Sequence, residues 1–564
     1  MDVGEILLRK GLVTDSQLAE ARRSTALAQG RALHLVLTDM DLVDETTAME
    51  ALAEALGMTF VDLANMQIDP AVLQAVPAKV IYKKSIFPIA RANGTIRVAT
   101  SDPFDVYALD EMQALTGLHI EPVLASAREI DRLVKQHFGV GGETVDQLVA
   151  EREDLEILDQ PEQIEGELAA EAQEASVVRL VNEILLESIE QRASDVHIES
   201  HETGVKIRYR VDGMLARQPM PPEIDRFRNA IISRLKIMAR MNIAEKRLPQ
   251  DGRIKLRLHG REIDVRVSVI PMLHGEGIVM RLLDKGGSQF DLRRLGMAED
   301  THATFQQLIH RPHGILLVTG PTGSGKTTTL YSALREIQDE TTKIITVEDP
   351  VEYHLEGINQ IQVHARIGLT FGAGLRSILR HDPDVILVGE IRDLETAETA
   401  IQSSLTGHLV FSTLHTNDAA SAFVRLVDMG IEPYLVASTV EAVMAQRLVR
   451  TICPNCKEAY HPDPDDLPPD FPHPGAPGDL MLHRGTGCRS CRNVGYRGRL
   501  GIFELLVANE KVRHMTVERA SSSVIVKQAL SDGMVTLRQD GWRKVLAGQT
   551  TVSEVLRVTK GDLS

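Results

Sequence analysis

The chain has 564 residues, with 79 acidic and 62 basic side chains and a formal net charge of −17. Only 4% of the residues are aromatic and no long block of Lys or Arg occurs, which argues against a nucleic-acid partner. No apolar run approaches the roughly 20 residues needed to cross a bilayer. At about 100–200 residues per domain, the length predicts three to five domains.

The N-terminal sequence Met1-Asp2-Val3-Gly4-Glu5 has no basic segment followed by an apolar core. We therefore expect no signal peptide and a cytoplasmic protein that reaches a membrane through partners. Residues 1–65 have apolar positions at three- and four-residue steps, which predicts a helical module. Thr14 and Asp44 are its candidate N-caps, and the simplest interpretation is two packed helical hairpins.

Residues 66–139 are predicted to form a small α/β module. Strand-like runs at 86–90 and 95–99 flank the turn signal Asn93-Gly94, and two helical segments follow at 109–115 and 127–138. Residues 140–172 are acidic and poor in large apolar side chains, which is typical of a solvated, extended linker.

A second α/β module is predicted at 173–290. A helix at about 176–191 precedes strands around 196–199, 206–211, 253–258 and 262–270. Residues 291–564 then alternate strand and helix signals, which predicts a parallel sheet with helices on both faces. A Pro-rich segment with four cysteines interrupts this domain at 450–500.

A phosphate-binding motif lies at the start of this last domain. The segment 320–327 matches G-x-x-x-x-G-K-[ST], with a buried strand predicted at 315–318 and a helix at 328–337. Lys326 is expected to reach the β- and γ-phosphates of ATP, and the Thr327 hydroxyl to bind Mg²⁺. The predicted nucleotide contacts are Gly320, Pro321, Thr322, Gly323, Ser324, Gly325, Lys326, Thr327 and Thr328.

Two further apolar runs end in an acid, at Glu348 and Glu390. A carboxylate at the carboxyl edge of a parallel sheet is placed to face Mg²⁺ and the attacking water. Taken alone, either acid could equally be a helix cap or a surface charge. His408 and His415 flank another predicted strand and are candidate γ-phosphate sensors, although a lone histidine is usually structural.

The four cysteines form two C-x-x-C pairs, Cys453/Cys456 and Cys488/Cys491. Four thiolates can close a tetrahedral Zn²⁺ site that has no open position, so the spacing predicts a structural zinc rather than a catalytic one. Two redox-active pairs or disulfides are the competing interpretation.

Taken in order, the motifs around residues 320, 348, 390 and 415 resemble the Walker A, Asp, Walker B and His boxes of the secretion ATPase superfamily. Segments 192–199, 244–253 and 443–450 are also similar to those of type II secretion ATPases and their type IV pilus assembly relatives. The resemblance implies a multidomain α/β protein. It would have a RecA-like P-loop core, a preceding small α/β domain, a zinc-binding insertion and a helical plus α/β N-terminal region.

The resemblance also assigns roles to residues. It implies that Glu348 activates water and that Glu390 is the Walker B acid. Arg266 and Arg281 of the preceding domain would approach the phosphates, and Arg376 and Arg380 would help to bind phosphate charge. Ordinary surface charge is the competing interpretation for each arginine.

The implied function is ATP hydrolysis by a homohexamer that powers type II secretion through pseudopilus assembly on an inner-membrane platform. Type IV pilus assembly is the alternative. Segments 311–314 and 429–433 look closer to the secretion branch. A nucleic-acid translocase and a catalytically silent scaffold are the rival classes, and the intact motifs argue against the scaffold.

In many relatives, the helical N-terminal module binds cyclic di-GMP through a repeated pattern. Here Asp2 and Val3 replace the expected Arg-Leu, Thr25 stands near the expected Gln, and His34 replaces a glycine. An aspartate reverses the sign of the interaction with a phosphate. We therefore predict no micromolar binding of cyclic di-GMP, and expect the module to dock the cytoplasmic domain of an inner-membrane partner.

Overall fold

The computed structural model describes residues 3–27, 33–40, 42–63, 66, 68–73, 75–76, 81, 86–92, 94–138, 155–157, 174–220, 222–258, 260–284, 290–472 and 480–559. The chain divides into two compact units, Met1–Gly286 and Gly287–Ser564. The finer domain boundaries remain predictions. Among the described residues, no helix has both the length and the apolar character needed to cross a membrane.

The first unit begins with the predicted helical module. Its helices are α1 (Val3–Arg9), α2 (Asp15–Leu27), α3 (Leu33–Asp39) and α4 (Glu45–Leu56). Both predicted N-caps are confirmed, since Gln17 N donates to Thr14 Oγ1 at 3.4 Å and Thr47 N donates to Asp44 Oδ1 at 2.9 Å. Apolar side chains from all four helices share one core.

A three-stranded sheet follows the helical module. Its elements are α5 (Pro70–Leu73), β1 (Ile86–Ala92), β2 (Thr95–Thr100), α6 (Val106–Thr116), β3 (His119–Leu124) and α7 (Ala127–Phe138). β1 pairs antiparallel and β3 parallel with β2. The sequence predicted every element except α5 and β3. Asn93 of the predicted turn lies outside the described residues.

Most of the predicted linker also lies outside the described residues. Its part at β4 (Leu155–Ile157) is a strand paired antiparallel with β8 (Gln250–Leu258), where Leu155 lies opposite Leu258. A solvated linker was expected there, extended or with helical stretches, and not a strand paired in a sheet. The alternation Leu-Glu-Ile lets three residues join a sheet edge, and this signal is too short to detect within an acidic run.

The rest of the first unit is a seven-stranded antiparallel sheet in the order β4-β8-β9-β10-β5-β6-β7. Its further elements are α8 (Ala175–Glu190), β5 (Ala193–His201), β6 (Gly204–Val211), β7 (Met214–Arg217), α9 (Arg228–Met238), β9 (Arg261–Met272) and β10 (Gly275–Asp284). α8 and α9 share an apolar core with one sheet face. Along β8 and β9 charged side chains alternate with buried ones, so the charged side chains lie on the other face. The elements α9, β7 and β10 were not predicted.

The second unit contains a seven-stranded sheet in the order β13-β12-β14-β15-β11-β16-β19. These strands are β11 (Gly314–Thr319), β12 (Ile344–Glu348), β13 (Asn359–Gln362), β14 (Val385–Val388), β15 (Leu409–Leu414), β16 (Val440–Ile452) and β19 (Tyr496–Val507). All neighbours pair parallel except β16 and β19. The parallel sheet predicted from the sequence is confirmed, and β19 is an antiparallel edge strand.

Separate apolar cores cover the two faces of this sheet. Its helices are α10 (Glu299–Ile309), α11 (Lys326–Ile337), α12 (Phe371–Ile378), α13 (Leu394–Leu405), α14 (Ala420–Asp428), α15 (Pro433–Thr439), α16 (Glu510–Val517), α17 (Ser522–Ser531), α18 (Leu537–Leu546) and α19 (Val552–Val558). The insertion between β16 and β19 contains a two-stranded ribbon of β17 (Lys457–Tyr460) and β18 (Leu482–Gly485). The layout is that of a doubly wound domain, whose ligands bind at the carboxyl edge of the sheet.

Candidate nucleotide site and cysteine cluster

The loop between β11 and α11 packs closely against β16 and against its own residues. Gly320 has a φ of +149°, and a Cβ there would lie 2.6 Å from both Gln446 O and Ser324 Oγ. Gly325 has a φ of +90°, and its Cβ would lie 2.8 Å from Gln446 Nε2. Glycine is therefore required at both positions for steric and for backbone reasons.

The beginning of α11 suits an anion. Its N-cap, Gly325, offers no side-chain acceptor to the first backbone N–H groups. The Ser324 hydroxyl is buried and has no hydrogen-bond partner among the described residues. Free N–H groups and the positive end of the helix dipole form a phosphate site, so these residues fit a nucleotide phosphate.

Lys326 is the cation of this loop. Its Nζ donates to Gly320 O at 2.8 Å and to Pro321 O at 3.1 Å. Burial lowers the pKa of Lys326 to about 8, an effect that Glu390 opposes and Arg447 reinforces. Thr327 and Thr328 follow in the first turn of α11. An anionic phosphate would favour the charged form of the lysine.

Glu390 follows β14 at the carboxyl edge of the sheet. Its side chain is 12% exposed, pairs with Arg392, and lies 3.1 Å from His415 Nε2. The charge of Glu390 partly offsets the lowering of the Lys326 pKa by burial. The carboxylate is therefore close enough to interact electrostatically with the P-loop lysine. The structure thus brings together three predicted residues: Lys326, Glu390 and His415.

Glu348 has a different environment. It is only 4% exposed, and its carboxylate accepts hydrogen bonds from Tyr331 Oη, from Thr346 Oγ1 at 2.6 Å and from Gln360 Nε2 at 3.2 Å. Burial, followed by the charge of Glu348, raises the pKa of Tyr331. These three contacts occupy the carboxylate oxygens that would otherwise accept a hydrogen bond from water. Its predicted role in activating water therefore remains a prediction that this enclosed geometry does not favour.

The four cysteines of the insertion converge, with all Sγ atoms within 4.8 Å of one another. The distances are 3.8 Å for Cys453–Cys488, 3.7 Å for Cys456–Cys491 and 3.8 Å for Cys488–Cys491. A tetrahedron with Zn–S bonds of about 2.3 Å has edges of about 3.8 Å, so the cluster fits zinc. The thiols are free, and these separations far exceed the roughly 2.05 Å of a disulfide.

Backbone hydrogen bonds to one of the sulfur atoms orient the cysteine cluster. The backbone N–H groups of Cys488 and Gly495 each donate to Cys491 Sγ at 3.2 Å. Cys453 and Cys491 are buried, while Cys456 and Cys488 are partly exposed. N–H donors to sulfur stabilise thiolate, which is the form that binds a metal.

Comparison with known proteins defines the family. The Type II/IV secretion system protein family matches residues 170–557, and the MshEN domain matches residues 56–144. The chain belongs to the Type II/IV secretion system protein family. It is 44% identical to Type II secretion system protein E of Xanthomonas campestris, over 99% of this chain and 98% of that protein.

Two other relatives of this secretion family bear on function. The Type IV pilus assembly ATPase PilB of Myxococcus xanthus is 42% identical over 99% of both chains. Type II secretion system protein E of Pseudomonas aeruginosa is 52% identical over 70% of this chain and 78% of its own length. Among solved structures, the Legionella pneumophila ATPase DotB matches with a TM-score of 0.50 at 22% identity, covering 67% of this chain and 94% of DotB. At that identity, the similarity supports the fold alone.

The prediction that His408 senses the γ-phosphate is wrong, because His408 lies at the opposite edge of the sheet from the P-loop. Gly314 pairs with Leu409 and Thr319 with Leu414, so His408 precedes β15 at the amino edge of the sheet. The P-loop begins at the opposite edge, and a strand of this length spans roughly 20 Å. His408 instead bonds locally, with Nδ1 2.8 Å from Ser403 O.

The structure places Arg376 and Arg380 on and just after α12, with exposed side chains. Arg376 pairs with Glu395, and Arg380 Nη1 donates to Arg376 O at 3.0 Å. Within the described part of the chain, no hydrogen bond or ion pair joins either arginine to Glu390. Their predicted contribution to phosphate binding remains a prediction.

Sequence reasoning missed two residues that support the P-loop from β16. Gln446 is 1% exposed, and its Oε1 accepts a hydrogen bond from Thr329 Oγ1 at 2.7 Å. Arg447 Nη2 donates to Asn417 O at 3.0 Å, and its charge contributes to the lowered pKa of Lys326. The segment 443–450 was noted for its resemblance to the family, but β16 is adjacent to β11 only in the folded sheet.

Proposed function

We propose that this chain is an ATPase that powers type II protein secretion by driving pseudopilus assembly. The observation that carries the proposal is the convergence of Lys326, Glu390 and the uncapped start of α11 at one sheet edge. These groups supply positive charge and backbone donors for a triphosphate, together with one acid beside them. Relatives of 44–52% identity with the name Type II secretion system protein E support the biological role.

Each residue contributes a separate interaction with ATP. Lys326 neutralises charge on the β- and γ-phosphates, and the glycine backbone donates N–H groups to them. The Thr327 hydroxyl and Glu390 would hold Mg²⁺, which would screen the phosphate charge when bound. His415, 3.1 Å from Glu390, would orient that carboxylate, and its predicted role as a γ-phosphate sensor is part of the proposal. The predicted role of Glu348 requires that Tyr331 release its carboxylate.

We also propose that Arg266 and Arg281 contribute charge to the phosphates during turnover, and that Arg376 and Arg380 assist in phosphate binding. Arginine suits these roles because its planar fork binds phosphate through two donors and stays charged. Zinc bound by the four cysteines would hold the insertion together without taking part in hydrolysis.

The assembly is a further part of the proposal. A homohexamer in the cytoplasm would act on an inner-membrane platform through partners, and the N-terminal module would dock the cytoplasmic domain of one of them. No nucleic acid would be involved. Light scattering with and without ATP tests the hexamer, and a steep salt dependence of single-stranded DNA binding would contradict the exclusion of nucleic acid.

Activity and role can be tested together. The purified full-length protein should hydrolyse ATP in a Mg²⁺-dependent manner. In a strain that lacks its own type II secretion ATPase, the protein should restore export of an enzyme that the type II system secretes. In a strain that lacks its pilus assembly ATPase, it should not restore surface pili. Restoration of pili alone would favour the alternative function, type IV pilus assembly, which the 42% identity to PilB keeps open. Absence of hydrolysis would overturn both.

A further inference from the structure

The charged face of the antiparallel sheet in the first unit contains a row of residues in cross-strand register. Arg253 lies opposite Arg266, Arg266 opposite Arg281, Arg281 opposite Asp195, and Asp195 opposite Arg210. We call these five residues the arginine row. Residues directly opposite each other on antiparallel strands lie close together, and like charges in such positions repel.

Asp195 is the one acid of the arginine row, and it is 6% exposed. Its Oδ1 accepts a hydrogen bond from Arg281 Nε at 2.9 Å, and its Oδ2 accepts one from Ser194 Oγ at 2.8 Å. Arg210 Nε lies 3.7 Å from the same Oδ2. The carboxylate is therefore fixed from both sides and holds Arg281 by a single N–H group.

The position of that hydrogen bond matters for what Arg281 can do. Its side chain is 51% exposed, and its hydrogen bond to Asp195 uses only Nε. Neither Nη group has a hydrogen-bond partner among the described residues. These two groups form the part of a guanidinium that binds a phosphate through paired donors.

We propose that Asp195 is a positioning residue that holds the Arg281 guanidinium through Nε and presents its Nη groups to an anionic phosphate oxygen. The inference rests on the proposed role of Arg281 in ATP turnover. Without the carboxylate, Arg281 would face repulsion from Arg266 and lose its fixed orientation. Misplacing a positioned charge lowers the rate of the chemical step more than it lowers substrate binding.

The test compares Asp195→Asn with Glu199→Gln in the full-length protein. Glu199 is a matched control, because it lies four residues along the same strand face and pairs with another arginine, Arg208, at 2.5 Å. We expect Asp195→Asn to lower kcat by about tenfold with KM within about threefold, as for residues coupled through one contact. Glu199→Gln should leave kcat within about twofold, because Arg208 is not among the arginines proposed to bind phosphate.

A double-mutant cycle with Arg281→Ala separates this inference from the proposed function. If Arg281→Ala has normal kcat, the role of Arg281 is wrong. If Arg281→Ala is impaired while Asp195→Asn has normal or raised kcat, or lowers kcat equally in the Arg281→Ala background, the inference about Asp195 is overturned. We expect Asp195→Asn to change kcat by less than about twofold in that background.

A second variant keeps the test valid if Asp195→Asn fails to fold, which thermal unfolding would reveal. Arg281→Lys keeps the positive charge but has one nitrogen in place of three, so its Nζ cannot contact Asp195 and also present a planar pair of donors on separate nitrogens. The positioning role predicts that Arg281→Lys loses most of the kcat that Arg281→Ala loses. Wild-type kcat in the Arg281→Lys variant would overturn the inference.

Discussion

The ends of β12 and β14 have the same sequence pattern, an apolar run followed by a glutamate, yet the two carboxylates have opposite environments. Glu390 lies beside Lys326 and His415, with its side chain 12% exposed. Glu348 is enclosed by Tyr331, Thr346 and Gln360. An acid at the end of a strand is therefore not by itself a catalytic acid.

A one-residue offset explains the difference. β12 and β14 pair in parallel, with Val347 opposite Val388, so Glu348 is level with Gly389 and Glu390 lies one residue further along. Since side chains alternate along a strand, Glu348 lies on the same face as Thr346, and both side chains join the hydrogen-bond network with α11. Glu390 lies past the last paired residue, where its charge acts on Lys326 of the P-loop.

The largest loss of ATP hydrolysis should come from substitution of Lys326, whichever of the two acids is catalytic. Lys326→Ala removes the charge on the β- and γ-phosphates, and we expect it to abolish hydrolysis and weaken ATP binding. Steady-state ATPase assays and binding of a fluorescent ATP analogue measure the two effects. Near-normal hydrolysis would show that the site is assigned wrongly.

Glu390→Gln should separate binding from turnover. The amide keeps the shape of the side chain but loses the charge, so we expect nucleotide binding to persist while kcat falls by about 10²–10³. The matched change Arg392→Gln removes the exposed partner of Glu390 and should have a much smaller effect on kcat. An Arg392→Gln variant as inactive as Glu390→Gln would attribute the effect to the ion pair instead.

Glu348→Gln tests the other half of the comparison through stability. A glutamine amide would direct a donor at groups that now donate to the carboxylate, and a broken buried network costs about 1–3 kcal/mol. Denaturant unfolding should show this loss for Glu348→Gln and not for Glu390→Gln. If Glu348→Gln is fully stable and inactive, Glu348 acts as the water-activating residue and the enclosed geometry is not the active one.

The sequence predicted the nucleotide site well where the motif is contiguous. Residues 320–327 and the elements on either side of them form one local unit, so spacing alone located the loop, Lys326 and Thr327. It could not place His408, because which edge of a sheet a residue occupies depends on strand direction and register. It also missed Arg447 and the β10 strand, where Gly275 and Gly277 obscure the alternation of apolar residues.

The two cysteine pairs illustrate the opposite case, in which a short spacing fixes the geometry of a site made from distant segments. A C-x-x-C pair can bind two positions of one metal wherever the second pair arrives, and the four Sγ atoms do lie within 4.8 Å of one another. The spacing was therefore sufficient to predict the cluster.

The smallest effect on turnover should come from this cysteine cluster. The purified protein should contain about one zinc per chain by elemental analysis, because four thiolates form one closed site.

Cys453→Ser should lower the zinc content and the thermal stability, while kcat per folded molecule stays within about threefold, since a closed four-thiolate site has no position open for a substrate. Ser490→Ala, in the same loop but outside the four-thiol cluster, is the matched control. Metal-free protein with four titratable thiols and full stability would exclude a structural zinc, whereas a specific loss of kcat in stable Cys453→Ser would connect the cluster to the nucleotide site.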